Sequence, residues 1–257
     1  MKIYIFGSCS GTEPFEGRHH TSFAIEVNKQ IYWFDAGEGC SYTAHLMGVD
    51  LLSVSDVFIS HGHMDHVGGL GNLLWNIRKL TYVEKRLPEY GDITVHMPND
   101  KTFDGVMMIL KNSEGNYAND YKTVQKRISD GVIFKDKNVE VCAHHNFHLG
   151  KEQEEWKTYS FSVCTEGKKI VYSGDIKSLD DILPLIGDGC DILFMETGHH
   201  SAAEVCRRIV DEKINVGDLY FLHHGREIIG NYDGVLEKCR KIYPRTTLCN
   251  DRDTFVY

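Results

Sequence analysis

Three imidazoles and a carboxylate crowd into His61-Gly62-His63-Met64-Asp65-His66, inside the stretch Ser60–Leu70. Upstream, Asp56–Ile59 reads as a short buried strand. Downstream, Gly68 and Gly69 lead into helical spacing at Leu70, Leu73, Leu74 and Ile77. The motif therefore occupies a strand-to-helix turn, where irregular backbone can aim several side chains at one place. Neutral imidazole and carboxylate suit zinc, iron or manganese, and a tetrahedral or five-coordinate ion takes three or four such groups. The competing reading is a polar surface loop that happens to be rich in histidine. So many ligand types on one turn are unfavourable unless a cation gathers them, which weighs against that reading.

Composition enters where it limits partners. The chain has 257 residues, 42% hydrophobic and 25% charged, and is expected to form a single domain over 1–257 with a substantial core. No apolar run approaches a membrane span, and Met1–Phe6 is too short for a signal peptide. Eight cysteines without a C-x-x-C pair point to reduced thiols and a cytoplasmic location in preference to a disulfide framework. The net charge of −9, with no long Lys/Arg run, argues against a duplex or long RNA as ligand. A small anion at a locally positive metal site remains compatible. Four adjacent histidine pairs, His19-His20, His144-His145, His199-His200 and His223-His224, suggest loops converging on one site.

Along the chain, Lys2–Phe6 reads as a strand. Thr21–Val27 and Gln30–Asp35 form a hairpin about Asn28-Lys29, ending in the glycine-rich Asp35–Gly39 loop. Tyr42–Met47 is expected to be helical. Asp92–Met97 is a strand, and Thr102–Asn112 a helix whose stripe Phe103, Val106, Met107 and Leu110 packs into core. Glu114–Asp130 reads as loop or short helix, followed by strands Val132–Phe134 and Val139–Ala143 and a His-rich loop, His144–Leu149. The charged run Lys151–Lys157 is expected to be exposed. A second hairpin, Thr158–Thr165 with Lys168–Tyr172, ends at Ser173-Gly174-Asp175. Leu179–Ile186 is helical and Asp191–Met195 a strand. Ser201–Glu212 is a helix opened by a Ser201/Glu204 capping box, with Val205, Ile209 and Val210 inward. Leu219–Leu222 runs into His223-His224, Tyr232–Ile242 is a helix, and Thr254–Tyr257 an edge strand. This order predicts two sheets with helices outside.

Together, H-G-H-M-D-H, a His loop, Y-S-G-D and a strand ending in histidine resemble the metallo-β-lactamase superfamily over nearly the whole chain. The resemblance implies an α/β (α+β) fold, a four-layer αββα sandwich of two mixed sheets flanked by helices. It also implies two divalent metal ions, zinc first and manganese as an alternative. His61, His63 and His148 would hold one ion, Asp65, His66 and His223 the other, and Asp175 would bridge them. His148 is preferred over His144 and His145 because it stands in the loop ahead of the hairpin. His223 is preferred over His224 because Leu219–Leu222 runs straight into it. The bridging aspartate separates this pattern from true β-lactamases, and His63 from the diiron branch, which carries Glu there.

Gly11-Thr12, Arg18-x-x-Thr21-Ser22, Phe34–Gly39, and Glu196 followed by His200-Ser201 look like the ribonuclease Z-type phosphodiesterase branch. By that resemblance His200, paired with Glu196, would donate a proton to the leaving oxygen, although His200-Ser201-Ala202 lacks the threonine of the family's H-S-T element. Asp65 would orient or deprotonate the attacking water. The tRNA-processing members carry a basic Gly/Pro-rich arm, and nothing between Gly68 and Asn146 looks like one. The expectation is therefore a phosphoric diester hydrolase acting on small phosphodiesters, above all cyclic nucleotides, as compact members such as the anti-Pycsar proteins do. Attack would come from a hydroxide shared by the two ions. A tRNA 3′-end endonuclease is the alternative, with RNA as partner, and a lactonase or thioesterase a further one. No membrane partner is expected, and branch members are commonly homodimers.

Overall fold

The computed structural model describes residues 1–152 and 155–257. The chain divides into two compact units. The first comprises Met1–Gly7, Pro14–Ile128 and Asn250–Tyr257, the second Ser8–Glu13 and Ser129–Cys249.

In the first unit, strands β1 (Lys2–Gly7), β2 (Ser22–Val27) and β3 (Gln30–Phe34) pair antiparallel, with the C-terminal strand Thr254–Val256 outside β1. The expected hairpin turn is made by Asn28 and Lys29, with φ of 50° and 68°. Positive φ at both central residues marks a type I′ turn, whose twist matches that of the flanking strands. Beyond β3 the sheet becomes parallel, through β4 (Val54–Phe58), β5 (Ile93–Met97) and β6 (Thr123–Arg127). Helices α1 (Cys40–Leu46), α2 (Met64–Val67), α3 (Leu70–Glu84) and α4 (Asp100–Lys111) connect these strands. Leu70, Leu73, Leu74 and Ile77 of α3 share a core with Trp33, Val57 and Val95 of the sheet. Strand β6 lies in the segment expected to be loop. It is an edge strand, and its Thr-Val-Gln-Lys-Arg sequence lacks an apolar face because an edge is blunted by charge.

The second unit repeats the arrangement. Strands β7 (Gly131–Lys135), β8 (Val139–His145), β11 (Tyr159–Thr165) and β12 (Lys168–Tyr172) pair antiparallel. The short strands β9 (Lys151–Glu152) and β10 (Glu155–Trp156) stand outside that sheet, and residues 153–154 of the charged run lie outside the described residues. Parallel strands β13 (Cys190–Thr197), β14 (Val216–His224) and β15 (Thr246–Leu248) complete the sheet. Its hairpin again turns on two positive-φ residues, Glu166 and Gly167. Helices α5 (Leu183–Ile186), α6 (Ala202–Asp211), α7 (Arg226–Gly230) and α8 (Tyr232–Ile242) accompany it. The two mixed sheets flanked by helices are the class expected from the sequence.

Three local expectations need correction. His144 and His145 end strand β8 and do not begin a loop. The Ser201/Glu204 capping box does not form, because Ser201 Oγ turns 3.4 Å to Glu227 Oε1 and Glu204 faces Arg207. Val210 is 46% exposed, since α6 buries Ala202, Val205, Cys206 and Ile209 and Val210 lies one step, about 100°, off that stripe.

Candidate functional site

Each unit carries a cluster of ligating side chains where chain leaves the carboxyl ends of its strands, the place open α/β sheets reserve for ligands. In the first unit the chain leaves β4 at Phe58 and reaches His61, His63, Asp65 and His66 around the start of α2. The ligand nitrogens of His61 and His63 lie within 4.8 Å of each other, as do the ligand atoms of Asp65 and His66. His66 Nε2 is 3.5 Å from Asp65 Oδ2.

This cluster is oriented from behind by Asp35, at the end of β3. Asp35 is fully buried and adopts φ of 50°. Its Oδ1 accepts the Ser60 N–H at 2.7 Å, and its Oδ2 accepts the Ser60 hydroxyl and the His66 Nδ1–H at 2.8 Å each. Because the Ser60 hydrogen points to Asp35, its oxygen is an acceptor for His61 Nδ1–H at 3.0 Å. Both rings thus carry their proton on Nδ1, which makes Nε2 the nitrogen through which each can coordinate.

Two glycines let backbone come close enough for this. A Cβ on Gly37 would sit 2.6 Å from the His20 carbonyl oxygen and 2.7 Å from that of Asp65, and one on Gly69 only 2.1 Å from the Gly37 carbonyl oxygen. Ala36 N–H donates to the His66 carbonyl and Gly69 N–H to the Ala36 carbonyl, tying the Asp35 loop to α2.

In the second unit Asp175, just beyond β12, is nearly buried. Its Oδ1 lies 3.2 Å from His223 Nε2 and its Oδ2 3.8 Å from both His148 Nε2 and His199 Nδ1. His148 is presented by Asn146, whose buried Oδ1 accepts the His148 N–H and whose Nδ2 donates to Ser160 Oγ. His223, the penultimate residue of β14, has φ of 55°, sparsely populated for a non-glycine residue. Its ring fits because residue 198 lacks a side chain: a Cβ there would meet His223 Cε1 and Nδ1 at 2.6 Å.

Glu196, at the end of β13, is fully buried. Burial works to raise its pKa, but the hydrogen bond from His199 and the nearness of His223 prevail and hold it at about 2. Glu196 accepts the His199 N–H at 2.9 Å and faces its Nδ1 at 3.0 Å. That hydrogen bond, ahead of any other influence, raises the His199 pKa above its ordinary value. His200 lies close too, its Nε2 3.4 Å from Glu196 Oε1 and 3.1 Å from the Ile176 carbonyl oxygen to which it donates.

The neighbouring histidines are engaged elsewhere. His224 sets Nδ1 3.1 Å from Thr197 Oγ1 and Nε2 2.8 Å from the Cys249 carbonyl oxygen. His144 and His145 gather about Asp130, and His19 faces Asp251 at 2.8 Å. The sequence names His199 only as half of the His199-His200 pair and Asp35 only within the Phe34–Gly39 segment, and it gives no sign of Asn146 or Gly198. The signal for Asp35 is a carboxylate directly after the wholly buried β3, matching Asp175 after the second hairpin.

Histidine nitrogens oriented by a buried carboxylate, together with further carboxylates, form a donor set that fits a divalent cation. The fold and this donor set define a metal-dependent hydrolase of the metallo-β-lactamase superfamily, ribonuclease Z-like. The chain belongs to the anti-Pycsar protein Apyc1 family, whose model matches residues 1–205. It is also similar to ribonuclease Z of Picrophilus torridus, 24% identical over 270 residues that cover 87% of this chain and 85% of that protein. Among solved structures it resembles the metallo-β-lactamase fold protein YhfI of Bacillus subtilis, with a TM-score of 0.76, 13% identity and coverage of 99% and 98%. The short form of human tRNase Z gives a TM-score of 0.73 at 17% identity, covering 100% and 99%. No helix among the described residues is long and apolar enough to cross a membrane.

Proposed function

We propose that this protein is a dinuclear metal phosphodiesterase that opens cyclic nucleotides. The observation that carries the reading is the Asp175 carboxylate, which turns one oxygen to His223 and the other to His148, as a carboxylate shared by two cations would. His61, His63 and His148 would hold one ion, Asp65, His66 and His223 the other, and Asp175 both. Imidazole with carboxylate suits zinc, with manganese the alternative. Such a pair of ions, when bound, offsets charge on phosphoryl oxygens and makes water acidic enough to attack at neutral pH.

The chain's own groups would then handle protons. Asp65 Oδ2 takes one from the attacking water. Glu196 holds His199 through Nδ1, so Nε2 of this half-exposed ring supplies the proton to the leaving ester oxygen. In this reading His199 takes the role that the sequence placed on His200, because His200 spends its Nε2 on the Ile176 carbonyl. His199→Ala should lower kcat on a substrate with a poor leaving group far more than on an activated aryl ester, whereas His200→Ala should affect both alike.

The cyclic-nucleotide assignment is supported by the family match, and the ribonuclease Z relatives support tRNA 3′-end cleavage as a second reading. The test is one preparation, loaded with zinc or manganese, given 3′,5′- and 2′,3′-cyclic nucleotides and a precursor tRNA. Turnover of a cyclic nucleotide is expected, and tRNA cleavage without it would overturn the reading. We further propose a homodimer in the reducing cytoplasm. Exposed Val83, Met108 and Ile109 on α3 and α4 and the exposed Cys164 thiol support it, and sedimentation analysis checks the dimer.

A further inference from the structure

The His144-His145 pair is not used by the chemistry above, yet it is not an ordinary strand end. Asp130 stands immediately before β7, and the register Gly131↔Ala143 sets it across from these two histidines. Its Oδ1 accepts the His145 N–H at 2.7 Å, and its Oδ2 lies 2.6 Å from His145 Nδ1. His144 Nδ1 approaches Oδ1 of the same carboxylate at 4.0 Å. Consecutive residues of a strand send side chains to opposite faces. Here both rings converge on one carboxylate, with centroids 4.7 Å apart and planes inclined by 36°.

We propose that Asp130, His144 and His145 form a further binding site for a divalent transition cation of the zinc type, separate from the site built on Asp175. One ligand atom from each residue lies within 4.8 Å of the other two. Zinc bonds of about 2.0–2.1 Å in a tetrahedron set ligand atoms roughly 3.3 Å apart. With Oδ2 of Asp130 as the ligand, its 2.6 Å separation from His145 Nδ1 must open by under an ångström, while His144, whose Nδ1 stands 4.0 Å from Oδ1 of the same carboxylate, must turn its ring toward Oδ2. Asp130 and His144 are partly exposed, so their side chains can adjust about the stacked His145 ring.

Two features prepare the site. The carboxylate is aimed by a backbone N–H, and the His145 ring is fixed by stacking on Trp156, with centroids 3.9 Å apart and planes inclined by 13°. Stacking covers the face of the imidazole and leaves its nitrogens, at the edge, to coordinate. Two imidazoles and one carboxylate leave a fourth position for water, as in three-ligand zinc sites.

The test measures metal content and thermal unfolding of the full chain. Stripped wild type, Asp130→Asn, and His144→Ala/His145→Ala are equilibrated with zinc and their bound zinc is counted. The variants should each hold one equivalent fewer than wild type, and the unfolding temperature of wild type should respond to a zinc addition that leaves theirs unmoved. Asp130→Asn preserves the size and hydrogen-bonding shape of the side chain, which guards against simple misfolding. Equal zinc content in all three proteins would overturn the proposal. Loss of all zinc from the variants would also overturn it, because these residues would then belong to the other site.

Discussion

Asp35 Oδ2 lies 2.8 Å from His66 Nδ1, and both side chains are fully buried. The contact decides which ring nitrogen can ligate. Asp35→Asn would put an amide where only an acceptor fits, or force the proton of His66 onto Nε2 and block coordination. Metal affinity should fall about 10–100-fold, the usual effect of removing such an orienting partner. Zinc titration of the stripped variant measures this, and an unchanged dissociation constant would show that Asp35 does not orient the ligand.

Gly198→Ala tests the second unit in the same way. The added methyl would meet the His223 ring at 2.6 Å and Ser10 Cβ at 3.0 Å, while Gly198 does not have a left-handed φ that would strain alanine there. The ring must move. Metal content and activity should drop together with the circular dichroism unchanged. Gly105→Ala is the counterpart in α4, where an added Cβ has nothing within 4 Å. It should stabilise the protein by about 0.5–1 kcal/mol through helix propensity and leave activity alone. A destabilised Gly105→Ala would contradict the packing described for α4.

What the sequence disclosed follows from how local each signal is. His61, His63, Asp65 and His66 fall on one turn between two apolar elements, so contiguity alone reveals them. The hairpins were legible because their strands alternate or run apolar around two-residue turns. Asp35 and Asn146 act on residues they do not adjoin in the chain, so only the fold identifies their partners. Strand β6 leaves no periodic signal in the sequence because an edge strand needs no apolar face. The recurrence of four antiparallel strands followed by three parallel ones in both sheets is a property of backbone pairing, and the side chains carrying it differ. The proposed preference for His199 over His200 rests on the Ile176 carbonyl beside His200, which the sequence does not reveal.

Cysteine accessibility gives an independent check of the core. Cys164 is exposed and Cys142 partly so, whereas Cys9, Cys40, Cys190, Cys206, Cys239 and Cys249 are buried. Burial also pushes the Cys40 and Cys190 thiols up to about 12, which suppresses the reactive thiolate. In native protein a thiol reagent at mild pH should modify Cys164 quickly, Cys142 slowly, and the other six only after denaturant. Rapid native modification of Cys40 would mean that the α1 face of the core opens readily.

A final prediction concerns acid. Asp50 caps the short 3-10 turn Leu51–Ser53 by accepting the Leu52 N–H, and it faces Arg86 at 2.7 Å. Partial burial works to raise its pKa, but the hydrogen bonds from Arg86, Ser53 and Leu52 outweigh that and hold it below 3.8. A carboxyl depressed by folding stabilises the protein above its unfolded pKa, and that contribution fades as pH falls through the folded one. The side chain is 42% exposed, so solvent screening keeps the whole effect under about 1 kcal/mol. Wild type should therefore exceed Asp50→Asn in denaturant midpoint at neutral pH, and the gap should narrow as pH drops below 3.8. A gap that stays constant, or widens in acid, would show that Asp50 is not held ionised by Arg86 and the turn it caps.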